Sequence, residues 1–426
     1  MMVSYKKSTR QAQPDTDIAP EKESIETFPN MFNFNQPISR TGTHAEKYEL
    51  RQALFGTKDV LPMWVADMDL PTPPFVMNAL KSRLNHSLLG YTLTPEGVYQ
   101  AIINWQAQHN YRVDKSHIVF THNVANGFFM AVSAFTRPGN SVLVQPPIYP
   151  PFLKAPEIND RRLIEAPLEL VDGRYQIDFE SFEKAIVDNS VKLFLFCNPQ
   201  NPSGRVWLKD EIEQLANICL KHQVTIVSDE IHSDMIYAPH KHIPMASISD
   251  EIANITITLS SPGKTFNLGG LQIGYAIIAN PKLKADYLKI CQQNAIDSVN
   301  LFGQIAMAAA YTEQGKEWRD ELLVHLNQNI DLLENFLAKE LPKVKLMRPE
   351  ASYLVWLDFR ELFTDQTELK EWLVSKAKLG LNDGESFGGQ SKAGTGFMRI
   401  NLAVPKPTLD KALQQIRQAR YSLPAQ

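Results

Sequence analysis

The sequence is poor in cysteine, has no long apolar run and carries little excess charge. Its three cysteines, Cys197, Cys219 and Cys291, lie far apart and form neither a CxxC pair nor a Cys/His ligand spacing, which argues against a disulfide framework or a cysteine-based metal site. No apolar stretch reaches the roughly 20 residues of a membrane-spanning helix. The net charge of −4 gives no indication of nucleic acid or anionic lipid as a partner. We therefore expect buried free thiols in a reducing compartment, and neither nucleic acid nor membrane as a partner.

The length of the chain predicts more than one domain. A sequence of 426 residues, 44% hydrophobic and 21% charged, is long enough for two globular domains. Residues 1–30 are rich in Lys, Glu, Asp, Pro and Ser without periodicity, which predicts a disordered tail. Lys6, Lys7 and Arg10 lead into a polar stretch, not into the apolar core of a signal peptide. We therefore expect a cytoplasmic protein.

Residues 76–311 alternate between short apolar strands and helices. Strand patterns occur at 118–120, 141–144, 192–197, 224–227, 255–259 and 275–279, and helical patterns at 76–84, 98–106, 124–135 and 208–221. Thr94 is expected to cap the helix at 98–106, with Pro95 in its first position. This alternation predicts a large α/β domain with a mostly parallel sheet between helices.

The pattern changes in the last third of the chain. Leu323, Leu326, Ile330, Leu333 and Leu337 recur at helical spacing, which favours a core helix over a partner-binding zipper. Residues 352–358 and 397–402 follow as strands, and 368–378 and 408–420 as helices. We assign 312–426, together with 31–75, to a smaller α+β domain beside the large one.

Lys264 lies in a turn directly after a predicted strand. The surrounding stretch, SSPGKTFNLGG at 260–270, is made of small and hydroxyl residues that let a bulky group approach the backbone. A lysine amine whose pKa is lowered is a nucleophile that forms a Schiff base with an aldehyde. Taken alone, the stretch is more typical of a solvated lysine in a glycine-rich turn.

Other polar residues follow the ends of other predicted strands. Loops at the carboxyl ends of parallel strands meet in one crevice, so Asn123, Tyr149, Asn201, Asp229 and Lys264 are expected to converge. Together they supply parts of a pyridoxal phosphate site: a carboxylate for the ring nitrogen (Asp229), an aromatic face to stack on the ring (Tyr149) and a donor to the ring hydroxyl (Asn201). The alternative for Asp229 is a helix N-cap.

The phosphate and the substrate carboxylate need further partners. Asn123, Val124 and Ala125 begin a helix whose backbone NH groups suit a phosphate, and Ser261 adds a hydroxyl. Arg399 is a lone arginine in an apolar strand, which suits a carboxylate. A surface arginine on an edge strand is the alternative.

The segment LPMWVADMDLP at 61–71 contains two aspartates, Asp67 and Asp69. No further carboxylate or histidine lies close enough in sequence to complete a cation site, so we predict no metal. A structural loop that ends at the prolines and a loop that faces the substrate both remain open.

The order of these signals carries a resemblance. NPSG at 201–204, DEIH at 229–232, SPGK at 261–264 and then Arg399 resemble the class I/II aminotransferase group of fold type I pyridoxal-phosphate enzymes. PMWVADMD at 62–69, Gly90-Tyr91, DEIHSD at 229–234 and KTFNL at 264–268 resemble its cystathionine β-lyase (C–S lyase) branch of the MalY/PatB type. The match runs from about Phe32 to the C-terminus.

The resemblance implies a fold and a set of roles. It implies a seven-stranded type of sheet between helices, a smaller α+β domain, and a homodimer with shared active sites. It implies Lys264 as the Schiff-base lysine and catalytic base, Asp229 at the ring nitrogen, Asn201 at the ring hydroxyl, Tyr149 stacked on the ring, Arg399 on the substrate α-carboxylate, Tyr91 at the phosphate of the neighbouring subunit, and Ala66 and Asp67 in a loop closing over the substrate.

Two positions differ from aspartate aminotransferases. Three residues after Asp229 those enzymes have a tyrosine, whereas this chain has His232, as the lyase branch does. Eight residues after Lys264 they have a phosphate-binding arginine, whereas this chain has Gln272, so the phosphate is expected to rely more on NH groups and on Tyr91.

The resemblance implies a β-elimination. The expected substrate is cystathionine or a related cysteine S-conjugate, and the products are a thiol, pyruvate and ammonia. The same residues also suit an aminotransferase, which shares the early steps. A regulatory binding protein built on the same fold is a third reading, against which Lys264 and Asp229 argue.

Overall fold

The computed structural model describes residues 32–296 and 298–423. The tail predicted for residues 1–30 lies outside this range. From residue 33 onward, the described residues group as one compact unit. Every helix in the described range is too short or too polar to cross a bilayer.

Strands are short, as expected for the centre of an α/β protein. In chain order they are β1 Leu61–Pro62, β2 Ile118–Thr121, β3 Ser141–Val144, β4 Arg162–Glu165, β5 Glu169–Val171, β6 Arg174–Gln176, β7 Val191–Cys197, β8 Thr225–Asp229, β9 Thr256–Ser260, β10 Gly274–Ile277, β11 Lys345–Met347, β12 Leu354–Asp358, β13 Leu379–Gly380, β14 Asn382–Asp383 and β15 Phe397–Asn401.

The α-helices lie mostly between these strands. They are α1 Glu46–Glu49, α2 Arg51–Phe55, α3 Pro74–Leu84, α4 Glu96–Gln106, α5 Val124–Phe135, α6 Pro150–Ile158, α7 Phe179–Asn189, α8 Lys209–Lys221, α9 Asp250–Ala253, α10 Pro281–Gln293, α11 Leu301–Ala310, α12 Glu313–Glu340, α13 Gln366–Glu371, α14 Glu385–Gly388 and α15 Lys406–Ala419. Short 3₁₀ turns occupy Ala107–His109, Lys115–His117, Met245–Ser247, Gly269–Leu271, Gly389–Ser391 and Arg420–Ser422.

The larger sheet in the described range has seven strands in the order β2-β10-β9-β8-β7-β3-β4. Strands β9, β8, β7, β3 and β4 pair in parallel. Only β10 runs the other way, antiparallel to both β2 and β9. The predicted α/β class with a mostly parallel sheet is therefore confirmed, and β2, β3, β7, β8 and β9 have their carboxyl ends at the same edge.

Both faces of this sheet are buried. Along β7, Leu193, Leu195 and Cys197 point into one apolar cluster, while Phe194 and Phe196 point into another. Successive side chains of a strand alternate between faces, so an unbroken apolar run is what a strand covered on both sides requires. Helices α5, α6 and α10 cover one face, and α7 and α8 the other.

A second sheet in the described range has the order β11-β12-β15-β14, and its pairs are antiparallel. Ile330, Leu333 and Leu337 of α12 pack in one apolar cluster with Val355 and Ile400 of this sheet. The predicted core helix is thus confirmed.

One strand pair bears on the predicted division into two domains. Strand β1 pairs in parallel with β13, which ties residues 61–62 to the C-terminal part of the chain. The boundaries at 30, 75 and 311 stay predictions.

Two local predictions were wrong. Pro95, and not Thr94, is the N-cap of α4, and no side chain caps that helix. The helix predicted at 368–378 begins at Gln366 and changes to a π-helix over Trp372–Lys376. Boundaries of this kind depend on packing that sequence patterns do not encode. The three cysteines are buried thiols that form no disulfide with one another, as predicted.

Candidate active site

A cavity of about 480 Å³ opens at the carboxyl ends of the parallel strands. It is reached by the loops that follow β2, β3, β7, β8 and β9, by the segment after β1, and by β15 of the second sheet. All predicted site residues except Tyr91 line it: Ala66, Asp67, Val124, Ala125, Tyr149, Asn201, Asp229, His232, Ser261, Lys264 and Arg399. Their roles stay predictions, but the structure brings them together.

Lys264 reaches the cavity from the loop after β9. Ser261 shapes this loop, because its hydroxyl accepts from the Gly263 NH (2.9 Å) and donates to the Ile273 carbonyl (2.6 Å). The Lys264 amine donates to the Ala66 carbonyl at 2.7 Å. Burial and the nearby Arg399 lower the pKa of Lys264 to about 8. About a tenth of this amine is therefore neutral at pH 7, far more than for an ordinary lysine, and a base or nucleophile reacts in this neutral form.

Asp229 is the last residue of β8 and is buried. Burial raises the pKa of its carboxyl to about 7, against the opposing effects of the Ile231 NH and of Lys264. Its Oδ1 accepts from the Ile231 NH at 3.1 Å, but a turn and not a helix follows. The helix N-cap alternative is therefore wrong.

Replacing Asp229 with asparagine should stabilise the cofactor-free protein at neutral and higher pH. The folded-state pKa of Asp229 lies near 7, above the ordinary 3.8, so its contribution to stability is greatest below pH 3.8 and is lost as the pH rises through 7. The melting temperature of Asp229→Asn should exceed that of wild type at about pH 8 by more than at about pH 5. The exposed Asp286 provides the control Asp286→Asn. A difference in melting temperature that is constant with pH would contradict the assignment.

Arg399 lies within β15, an interior strand of the second sheet, and is buried. Its Nη1 donates to Asn201 Oδ1 (2.9 Å), and its Nη2 donates to Asn382 Oδ1 (2.6 Å) and to the Trp64 carbonyl (3.3 Å). Burial lowers its pKa to about 10, so it remains a cation. Its Nε has no hydrogen-bond partner in the described residues. The alternative of a surface arginine on an edge strand is excluded.

His232 and Tyr149 line the cavity near Asp229 and Lys264. Burial, with the charges of Lys264 and Arg399, lowers the pKa of His232 to about 3, so its ring is neutral. His232 Nδ1 is buried and has no hydrogen-bond partner in the part of the chain described. Tyr149 precedes α6, and burial raises its hydroxyl pKa, so it is a neutral phenol.

The N-terminus of α5 faces the same cavity. Asn123 caps this helix of 12 residues by accepting from the Asn126 NH at 2.7 Å. Its side-chain amide donates to Gln272 Oε1 at 2.6 Å. Val124 and Ala125 form the first turn, where free NH groups and the helix dipole favour an anion. Gln272 brings an amide, and not a cation, to this end.

Asp67 and Tyr91 are placed differently from the rest. The Asp67 carboxylate lines the cavity but is ion-paired to Arg40 (2.7 Å) and lies 3.6 Å from Lys47. Tyr91 is fully exposed and does not line the cavity of its own chain, so its predicted contact with a neighbouring subunit stays a prediction.

Sequence reasoning missed several residues in or beside the site. Asn382 pairs with Arg399 across β14 and β15, Phe387 lies under the guanidinium at 4.8 Å, Tyr353 donates to the Ala66 carbonyl at 3.0 Å, and Asn267 binds Met68 and Leu70. The register of β14 on β15 was not visible in the sequence, because β14 has two residues. Of these four residues, Asn267 alone could have been detected from the sequence, because it stands in the KTFNL motif.

Comparison with known proteins assigns the family. The model for "Aminotransferase class I and II" matches residues 58–416, which include every cavity residue after residue 57. The chain belongs to this family. Within the described residues, no group of three or more His, Cys, Asp or Glu side chains is arranged to hold a metal.

Three known proteins resemble the chain over most of their length. Cystathionine β-lyase PatB of Bacillus subtilis is 43% identical over 388 residues, which cover 91% of this chain and 99% of PatB. Cystalysin from Treponema denticola, whose structure contains a pyridoxal 5′-phosphate cofactor, has 34% identity and a TM-score of 0.87, covering 92% of this chain and 99% of that one. A pyridoxal-phosphate-bound C–S lyase from Staphylococcus hominis has 33% identity and a TM-score of 0.85, covering 92% and 98%. The predicted family and fold type are confirmed.

Proposed function

We propose that this chain is a pyridoxal-phosphate-dependent carbon–sulfur β-lyase, which cleaves cystathionine or a related cysteine S-conjugate to a thiol, pyruvate and ammonia. The observation that carries the proposal is the convergence of Lys264, Asp229 and Arg399 on one cavity. The names of the relatives, cystathionine β-lyase and C–S lyase, favour elimination over the aminotransferase reaction.

The cavity fits the reactive end of pyridoxal phosphate. The Lys264 amine, with its pKa near 8, suits the aldehyde. The Asp229 carboxylate is buried at the end of β8, where a cationic ring nitrogen would give it a partner that its own chain does not fully supply. When bound, the cofactor supplies a ring that accepts negative charge from the substrate α-carbon.

The remaining groups fit the rest of the cofactor. The first turn of α5, at Val124 and Ala125, and the Ser261 loop would hold the phosphate. Tyr149 offers its ring as a stacking face. Asn201 and the unpartnered Nδ1 of His232 offer polar atoms near the ring substituents.

The chain's own residues supply binding and proton transfer. Arg399 would bind the substrate α-carboxylate, since a guanidinium matches a carboxylate with two parallel hydrogen bonds. Asn201 and Asn382 fix its orientation through their side-chain oxygens. Lys264 would take the α-proton as a general base, and the Ala66 carbonyl at 2.7 Å gives the resulting ammonium an acceptor.

The test of the function is to incubate purified, cofactor-loaded protein with cystathionine and no 2-oxo acid. Pyruvate and free thiol in equal amounts support the lyase. Turnover only after a 2-oxo acid is added would instead establish an aminotransferase. No turnover under either condition, with cofactor bound, would leave a binding role.

We also propose a homodimer with shared sites. Leu88, Leu89, Tyr91 and Leu93 are all largely exposed, at 70%, 56%, 112% and 90%. A run of large apolar side chains facing solvent is typical of an interface. For location we propose the cytoplasm, since three buried thiols that form no disulfide with one another suit a reducing compartment.

Mixing two inactive variants tests the shared site. Tyr91→Ala and Lys264→Ala should each be weakly active or inactive. A hybrid dimer of the two has one site with both native side chains if Tyr91 serves the neighbouring subunit. Refolding the mixture should therefore restore up to about half of the wild-type rate per hybrid dimer. Recovery no greater than the sum of the separate variants would contradict the shared site, as would a monomer mass by light scattering.

A further inference from the structure

Residues 64–70 form a loop whose backbone carbonyl groups accept hydrogen bonds from side chains in and beside the cavity. The contacts are Arg399 Nη2 to Trp64 O (3.3 Å), Asn401 Nδ2 to Val65 O and Asp67 O (both 2.6 Å), Lys264 Nζ to Ala66 O (2.7 Å), and Asn267 Nδ2 to Met68 O (3.1 Å) and Leu70 O (3.0 Å). The position of this loop therefore helps set where the Lys264 amine and the Arg399 guanidinium lie.

The other side of the same loop carries two carboxylates that meet two cations. Arg40 lies 2.7 Å from Asp67 and 3.0 Å from Asp69, and Lys47 lies 2.9 Å from Asp69 and 3.6 Å from Asp67. Within the described residues these are the only ion pairs of either aspartate. The four side chains thus form one cluster of alternating charge.

Lys47 belongs to the short helix α1 and is completely buried. A buried ammonium is costly unless it is paired. Lys47 Nζ has no hydrogen-bond partner in the described residues, so its ion pairs with Asp69 and Asp67 are what offset that cost. Its backbone carbonyl also accepts from the Trp64 indole NH at 3.1 Å. Helix α1 is therefore joined to the loop by both charge and a hydrogen bond.

We propose that Arg40 and Lys47 are positioning residues of the active site, which hold the 64–70 loop so that its carbonyls orient Lys264 and Arg399. This inference rests on the proposed function for the roles of those two groups. It also gives Asp67 a role other than closing over the substrate. The Asp67 carboxylate is held by Arg40 and Lys47, and the carbonyl of the preceding residue, Ala66, accepts the hydrogen bond from Lys264.

The cluster also affects the charge on Lys264. Asp67 favours the protonated Lys264 amine, as does Asp229, while burial and Arg399 disfavour it. Arg40 and Lys47 offset the charge of Asp67. Removing either cation therefore leaves the negative charge of Asp67 less neutralised, which favours the protonated form of the Lys264 nitrogen.

The experiment compares Lys47→Met and Arg40→Gln with wild type. Misplaced catalytic groups should lower kcat/KM for cystathionine by about tenfold to a hundredfold, with an increase in KM because Arg399 loses a fixed orientation. The pH midpoint of the visible absorbance change of the bound cofactor should move upward. Arg40→Lys, which keeps the charge, should retain most of the wild-type values.

A matched control separates this from loss of any ion pair. Lys221→Met removes a lysine 2.7 Å from Glu183, and neither residue lines the cavity, so its kinetic constants and absorbance midpoint should stay at wild-type values. All assays are run well below the melting temperature of each variant. If Lys47→Met does not fold, Arg40→Gln, whose side chain is 24% exposed in wild type, decides the question.

The outcomes are distinct. Folded Lys47→Met and Arg40→Gln with wild-type kinetic constants and an unchanged absorbance midpoint would overturn the inference, because a merely structural role lowers stability alone. If wild type releases no thiol, the proposed function fails, and the absorbance midpoint still tests the inference.

Discussion

Replacing Lys264 with alanine is expected to reduce thiol release from cystathionine by about 10²–10⁴-fold, the usual range for loss of a general base. The variant should also lose covalent attachment of pyridoxal phosphate, because Lys264 is the only lysine among the described residues that line the cavity. Thiol and pyruvate are measured in the same reaction. Attachment is measured as the mass that remains on the protein after borohydride reduction.

The control for this prediction is Lys289→Ala. Lys289 is an exposed lysine of α10 that does not line the cavity, so both activity and attached mass should match wild type. Pyridoxal phosphate fixed to another lysine in Lys264→Ala would show that the assignment of the lysine is wrong. Unchanged thiol release would show that another group takes the proton.

Replacing Arg399 with lysine is expected to raise KM for cystathionine by about 30-fold or more, because truncating one partner of a buried charged hydrogen-bond set costs about 2 kcal/mol or more. Lysine keeps the positive charge but not the fork that binds a carboxylate. The change also leaves Asn201 and Asn382 without the donors that they accept from in wild type. Steady-state kinetics measure the effect, and kcat should change less than KM.

Arg360→Lys is the matched control for Arg399→Lys. Arg360 also donates two hydrogen bonds to one acceptor group, the carboxylate of Asp358 at the end of β12, at 2.9 and 2.7 Å. Unlike Arg399, it is half exposed and lies outside the cavity. Its replacement should leave KM unchanged. An unchanged KM in Arg399→Lys would mean that the substrate carboxylate binds elsewhere.

Much of the fold could be predicted because the strands of the larger sheet are buried on both faces. The run from Val191 to Cys197 is almost wholly apolar, and the helix at Val124–Phe135 has the bounds that its sequence pattern indicated. The reversed direction of β10 could not be predicted, because side-chain periodicity is the same for parallel and antiparallel strands. It depends on pairing with β2 and β9, which lie far from each other in sequence.

The candidate site, like the fold, has residues that the sequence could indicate and contacts that it could not. Lys264, Asp229 and Asn201 were detectable because each stands at or just after the end of a strand and lies in a motif. Asn382 was not detectable, because its contact with Arg399 depends on the pairing of a two-residue strand with β15. The ion pairs of Asp67 were not detectable either, because Arg40 and Lys47 lie in a polar N-terminal stretch without a motif.

By itself, the sequence determined the α/β class, the family, and which side chains stand at the ends of the parallel strands, since these depend on local periodicity and short motifs. Only the tertiary structure decided how those side chains are held. The Ala66 carbonyl at Lys264, the two asparagines at Arg399, and the cations behind Asp67 and Asp69 all join segments distant in sequence. Such contacts, and the burial that brings the pKa values of Lys264 and Asp229 to about 8 and about 7, exist only once the chain has packed.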